Sequence, residues 1–397
     1  MQTKGTFAAA LVLVAATWAD GWTQPRVFLL NPARLMEIRN TPPGDRRVEP
    51  ALKRLMKDAD KALRIQPPTV TAKDRVPPSG DKHDYMSLSP YWWPDPNQPD
   101  GLPYINRDGE INPERDQYPD REQLATMISA VGTLSLAYFF TGEESYAEHA
   151  AKMLRVWFID TATLMNPNMN FAQAVRGLSD GRGSGIIETH RLPDLLDAVG
   201  LLAGSAAWTA EDQRALRGWC MRYLTWLHES PNGRREQQAE NNHGSWYDVQ
   251  VVSLSLFVGQ RDLAVRTLEE CKLKRIARQI EPDGSQPREL RRTKAEGYCT
   301  FNLLALTSLA VLGEKAGVDL WNYETPDGRS IQKALQWMLP YYTGEKEWPY
   351  QQIAPFEREE AVILLYQAGA LGGARYADVA ARMESVAGRS ARIHLIY

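Results

Sequence analysis

Residues 121–158 read REQLATMISAVGTLSLAYFFTGEESYAEHAAKMLRVWF. Leu124, Met127, Ile128, Val131, Leu134 and Tyr138 recur at steps of three and four, the period of one face of an α-helix. Thr141-Gly142 interrupts the pattern, as glycine readily does, and a second helical run returns from Tyr146 to Phe158. The stretch reads as a helical hairpin.

The same unit recurs along the chain. Ala33–Arg39 and Glu49–Leu63 precede it, the second with Leu52, Leu55, Met56 and Leu63 at helical spacing. Pro193 suits the first turn of a helix running through Leu202. Thr209 caps the next, which carries Trp219, Tyr223 and Trp226. Asn242–Val258 and Arg261–Ile280 meet at Gly259, and Pro282-Asp283-Gly284 makes a turn. Ala295–Lys315, Arg329–Tyr342, Pro355–Ala370 and Tyr376–Val386 complete the series. Period-two alternation is almost absent, so the expectation is an all-α array in which each hairpin packs on its neighbours. No Gly-, Ser- or Pro-rich linker divides it, and residues 20–397 read as a single domain.

Two segments depart from the helical pattern. Ile65 to Asp120 is too long for a plain connector and is rich in Pro, Asp, Asn and aromatics. It contains Ser89-Pro90-Tyr91-Trp92-Trp93-Pro94, which reads as an ordered loop lining a cleft, with Trp92 or Trp93 as a platform for a sugar ring. The plainer alternative is a loop pinned to the body by its own aromatics. Asn166–Gly185 is also loop-like. Its glycines lack a following Lys-Ser/Thr and a βαβ context, so it is no phosphate loop.

Among the 397 residues 43% are hydrophobic and 24% charged, with a net charge of −3. That balance fits a globular enzyme and gives no reason to expect nucleic-acid binding. An acidic ligand would have to find a local basic pocket. Trp (12) and Tyr (16) together outnumber Phe (9), and flat amphipathic rings suit stacking on sugars. Lys4, the apolar run Phe7 to Ala16 and Thr17-Trp18-Ala19 form a signal-peptide pattern over residues 1–19, which implies a secreted or periplasmic protein. That run is too short to span a bilayer. No later segment reads as a membrane helix, and no cysteine near the cleavage position offers a lipid anchor. Cys220, Cys271 and Cys299 sit in helical apolar patterns and read as buried free thiols, with one disulfide possible.

The chemistry-bearing residues gather in Asn241-Asn242-His243-Gly244-Ser245-Trp246-Tyr247, in Arg288-Glu289-Leu290-Arg291-Arg292-Thr293 and at Tyr298. An amide, an imidazole, a guanidinium and a phenol are the groups needed to draw a proton from the carbon beside a carboxylate. Asn and Arg aim donors at the carboxylate, while His and Tyr carry protons. Taken alone, the first segment is equally a helix cap followed by a satisfied histidine. His83, His190 and His243 are far apart and lack metal-ligand spacing, so neither a metal nor a cofactor is expected.

Together with Ser79-Gly80-Asp81-Lys82-His83-Asp84-Tyr85, Tyr91-Trp92-Trp93-Pro94, Gly185-Ile186-Ile187-Glu188-Thr189 and Asp283-Gly284-Ser285-Gln286-Pro287, these segments resemble the alginate lyases. The nearest resemblance is to polysaccharide lyase family 38, a relative of family 5. It implies an (α/α) toroid, an incomplete barrel of about six to seven helical hairpins. It also implies β-elimination of alginate or a related anionic uronate polysaccharide. By the same resemblance Asn242 and Arg292 neutralise the substrate carboxylate, His243 assists or acts as base, and Tyr298 donates to the departing oxygen. The Arg292-to-Tyr298 spacing is one residue shorter than the family 5 pattern, which Arg291 would match, so both arginines stay candidates. The implied sugar contacts are His83, Tyr85, Trp92, Trp93, Gln173, Arg182, Glu188, Asn241, Trp246 and Arg291.

In that chemistry the proton at C5 leaves, the carboxylate charge is masked, and the 4-linked oxygen departs. Tyr298 can be the base only where cations lower its pKa, and Arg292, Arg291 and Arg288 are the candidates. In mannuronate the C5 proton and O4 lie on one side of the ring, so one residue can serve both steps; in guluronate two are needed. Two other classes remain: a glycoside hydrolase drawing two acids from Glu188, Asp248 and Glu289, and a non-catalytic glycan-binding protein using the Trp-rich loop.

Overall fold

The computed structural model describes residues 24–42, 44–387 and 391–397. The expected leader, residues 1–19, lies outside them. The chain is an all-α (α/α) toroid with two minor two-stranded sheets.

Two kinds of helix build it. Glu49–Ala62, Glu144–Phe158, Ala210–Glu229, Arg261–Cys271, Ile331–Tyr342 and Ala374–Ala387 have apolar stripes and polar outer faces. Asp120–Thr141, Asn242–Val258 and Ala295–Ala316 are buried on nearly every side. A helix apolar all round must sit inside. These three, with Leu192–Leu201 and Arg358–Ala370, contact one another in succession as an inner ring, and the striped helices pack outside. One continuous apolar core runs through both layers, from Val27 to Leu395.

The hairpin of residues 121–158 forms as its pattern predicts. Its first helix ends at Gly142 with φ 72°, a left-handed cap that a side chain would strain. Gly259 does the same with φ 84° between Asn242–Val258 and Arg261–Cys271. Thr209 and Asp212 form a reciprocal capping box at Ala210–Glu229. Two inner helices, Asp120–Thr141 and Ala295–Ala316, are long and apolar enough to cross a membrane by length and composition alone. The expectation of no such segment is corrected to that extent, although both helices are mostly buried among their neighbours. All three cysteines are free and buried.

The segment expected as the helix Arg261–Ile280 is not uniform. It continues past Cys271 through a π-helical turn, Lys272–Ile276, into Ala277–Gln279. The Asn166–Gly185 loop also contributes a short strand, Phe171–Ala174, which pairs in parallel with Met86–Leu88.

The long 65–120 segment is pinned by a buried ion pair. Lys73 Nζ lies 2.5 Å from Asp120 Oδ2, and both side chains are fully buried. Lys73 also donates to the Asp84 carbonyl at 2.6 Å, and Asp120 accepts from the Met86 backbone N–H at 2.9 Å. The loop is thus fixed to the start of an inner helix. Lys73→Met leaves Asp120 a buried charge without its counter-ion, so denaturant unfolding is expected to show a loss of about 3–5 kcal/mol. A loss under about 1 kcal/mol would show the loop to be held by its apolar contacts instead.

Candidate active site

Asn241 opens an inner helix as a cap, its side-chain oxygen accepting from the His243 backbone N–H at 3.3 Å. The cap reading of this stretch is therefore correct for Asn241. Asn242 is only 1% exposed. Its backbone N–H donates to Glu289 Oε1 at 2.6 Å and its side-chain amide to Oε2 at 2.8 Å. An amide nitrogen has two N–H bonds, so one remains for a ligand. Glu289 sits one turn before Arg292, whose backbone N–H donates to the Glu289 carbonyl at 3.0 Å. One carboxylate thus joins the two segments that the sequence singled out.

His243 donates through Nδ1 to Glu236 Oε1 at 2.6 Å, leaving Nε2 as the imidazole's open nitrogen. Burial pulls the imidazole pKa down, but the charge and hydrogen bond of Glu236, with Glu289 behind it, outweigh burial and raise it above the ordinary value. The sign follows: a raised folded pKa stabilises the fold below the unfolded value, and that stabilisation is lost as pH rises through the folded value.

Arg292 lies flat over Tyr298, its guanidinium carbon 3.6 Å from the ring centroid. Asp108, from the long loop, accepts from Arg292 Nη2 at 2.6 Å and Nε at 3.0 Å, and also from the Thr293 backbone N–H at 3.0 Å. The Tyr298 hydroxyl donates to the Tyr91 hydroxyl at 3.0 Å. Burial pushes the Tyr298 phenol well above the usual tyrosine range, against the pull of Arg292, and Tyr91 adds to the rise. Arg292 thus pulls the phenol down as expected, but in the free protein burial outweighs that pull. Arg288 is paired with Glu240, and Arg291 is exposed, so of the three arginines only Arg292 meets the phenol.

The remaining predicted contacts divide. Gln173 sits at φ 50°, rare for a residue other than glycine, and Arg182 holds it by donating to its backbone carbonyl at 3.1 Å and its side-chain oxygen at 3.0 Å. Arg182 also donates to Ser89 Oγ at 2.7 Å and lies 5.5 Å over the Trp92 ring. Trp92–Trp93 is a strand pairing with Ile105–Asn106, and successive strand residues face opposite sides. Only Trp92 joins Arg182. Trp93 is held by its own hairpin, under Arg107 at 5.4 Å and with its indole N–H on the Glu110 carbonyl at 3.0 Å.

Glu188 accepts from Tyr85 at 2.7 Å and Ser87 at 2.6 Å. Tyr85 is fully buried, so it supports Glu188 and offers no surface to a sugar. His83 donates to the Leu164 carbonyl at 2.6 Å and is tied to that loop, not to the four central groups. Trp246 is 6% exposed, between His190 and Phe301 at ring separations of 5.1 Å and 5.0 Å. It lines a cavity of about 540 Å³ with Arg392 and Tyr397, and is part of that wall. Sequence reasoning missed Glu236, Asp108 and Tyr91. Only Tyr91 carried a signal, its place beside the tryptophans.

A family model for the alginate lyases matches residues 69–348. An alginate lyase from Bacteroides ovatus has a structure similar to this chain at TM-score 0.89 and 42% identity, over 94% of this chain and 99% of that one. Alginate lyase A1-III from Sphingomonas species A1 is similar at TM-score 0.56 and 17% identity, over 87% of this chain and 88% of that one. A His-to-Ala variant of A1-III complexed with tetrasaccharide is similar at TM-score 0.59 and 16% identity, covering 87% of each chain. These last two speak to the fold alone. No curated protein matches the sequence. The fold and the family match define a polysaccharide lyase. The chain belongs to the alginate lyase family.

Glu236 is the checkable part of this electrostatics. Glu236→Gln keeps a hydrogen-bond acceptor but removes the charge, so the His243 titration followed by NMR is expected to move to lower pH. An unmoved midpoint would mean that Glu236 does not set the imidazole's basicity.

Proposed function

We propose that this lyase cleaves alginate by β-elimination, with Arg292 and the free amide N–H of Asn242 neutralising the uronate carboxylate, His243 taking the C5 proton and Tyr298 protonating the departing oxygen. The observation that carries the reading is the assembly of Asn242, Glu289, Arg292 and Tyr298 through contacts at 2.8 Å, 3.0 Å and 3.6 Å. Within the family we place the chain nearest family 38, on the motifs around His83 and Asn242.

The division of labour follows from the protonation states. A phenol pushed up by burial holds its proton at neutral pH, the form in which a general acid must start. An imidazole backed by Glu236 is a stronger base than usual once neutral. Masking the carboxylate is the costly element, because a second uncompensated negative charge in a cleft of low dielectric costs several kcal/mol. Arg292 keeps its charge throughout, and Asp108 holds it on the Tyr298 face. The likeness to the Bacteroides ovatus alginate lyase, 42% identical over nearly the whole chain, supports alginate as the substrate. Trp92, flanked by Arg182, is the sugar platform in this reading.

The hydrolase alternative has less support. Glu289 gives both oxygens to Asn242, and Asp248 is bound to Arg275 and Cys271. Neither is free to protonate a leaving group.

Incubation with alginate in the presence of a chelator is expected to yield ultraviolet-absorbing unsaturated ends; reducing ends without absorbance would mean hydrolysis, and no product would mean binding alone. Tyr298→Phe removes one hydroxyl and is expected to lower the rate by roughly 10²–10⁴ with the fold intact. Near-normal turnover would make the phenol structural. The wild-type rate should rise with pH through the raised His243 value, since the base form appears only as the imidazolium loses its proton. A rate falling over that window would reverse the roles of His243 and Tyr298.

A further inference from the structure

Arg275 is a nearly fully buried arginine, 2% exposed, outside the cluster just described. Its Nε pairs with Asp248 Oδ2 at 2.7 Å. The other two nitrogens reach backbone: Nη1 donates to the Ala239 carbonyl at 2.7 Å and Nη2 to the Gln237 carbonyl at 2.8 Å. Those carbonyls lie in the connection between Glu236 and His243. Gln237 ends the helix Pro231–Gln237, where carbonyls have no partner within the helix and favour a cation.

Two further features of the chain serve this contact. The π turn Lys272–Ile276 lies at Arg275 itself. Cys271, Arg275 and Gln279, spaced by four, are all buried on the same side. Over those eight residues a uniform α-helix would drift by roughly 80°, which the wider turn takes up. Gln279 then donates to the Asn241 carbonyl at 3.3 Å and accepts from Ser245 at 2.9 Å, so it holds the same connection one step further on. Gly244 is the second feature: a Cβ there would collide with the Ala239 carbonyl and the Arg275 guanidinium. The glycine after His243 thus admits the arginine.

We propose that Arg275 is a positioning residue that fixes the Glu236–His243 dyad and the start of the Asn242 helix through the Gln237 and Ala239 carbonyls. The word positioning rests on the lyase reading above; the tether itself does not. Asp248 orients the guanidinium, and only a planar fork reaches two carbonyls and a carboxylate together. A purely structural ion pair would add stability without setting the basicity of His243.

The test uses two variants. Arg275→Met with Asp248→Leu replaces the ion pair by apolar side chains, a change that often preserves stability. Arg275→Lys keeps the charge but not the fork, and decides the matter alone if the double variant does not fold. In either, the His243 titration by NMR is expected to fall towards the ordinary imidazole value. On alginate, kcat is expected to drop by roughly 10–100-fold, with KM changed less than about threefold. A folded variant with wild-type titration and kcat would overturn the proposal, as would a change confined to thermal stability or to KM. If the wild type does not cleave alginate while the variants still shift the titration, the tether stands and the lyase reading falls.

Discussion

Glu289 turns both of its carboxylate oxygens to one residue. Buried to 1% exposure, it accepts from both the backbone and the side chain of Asn242, and its own backbone receives Arg292. A buried carboxylate is costly unless its lone pairs are filled. Here the filling is supplied by residues that must stand together for the chemistry. Removing the Glu289 carboxylate would release the start of the Asn242 helix from the turn that carries Arg292. Three other carboxylates act in the same way: buried Glu236 orients His243, buried Asp248 orients Arg275, and half-buried Asp108 holds Arg292 against Tyr298. An anionic substrate therefore meets a site whose cationic and donor groups are aimed by anions behind them.

The fold places these pieces at the ends of different helices. Asn242 and His243 open one inner helix, Tyr298 lies in the first turn of the next, and Arg292 precedes that turn. The long loop reaches Tyr298 with Tyr91 and Arg292 with Asp108. Its Lys73–Asp120 anchor ties the loop to the toroid. A change in either body is thus felt at the phenol and at the guanidinium.

The helical series was legible because its period is local: each stripe such as Leu124 to Tyr138 states its own buried face. The Asn242, Arg292 and Tyr298 cluster was legible from residue type and resemblance. The π turn was not, since a helix with one wide turn has almost the pattern of one without it. Asp108 was not legible either, because it pairs with Arg292 across 184 residues of chain and leaves no spacing to read, while Glu236 reaches His243 from a separate short helix, so no single helical period links the two. Trp246 and Tyr85 misled for the opposite reason: they stand inside the motifs, but their rings turn into the body of the protein. The tryptophan pair was half legible, since strand alternation divides it between two faces.

In the proposed mechanism Arg292 and Asn242 receive a uronate carboxylate beneath Tyr298. The most direct measurement is a structure of the Tyr298→Phe variant holding a mannuronate oligosaccharide. The account predicts one sugar carboxylate within about 3 Å of both the Arg292 guanidinium and the Asn242 amide nitrogen. It also predicts that the same ring's C5 faces His243 Nε2, with a neighbouring ring on Trp92. A chain bound with its carboxylates turned to solvent, or with Arg292 still closed on Asp108 and no sugar beside it, would contradict it.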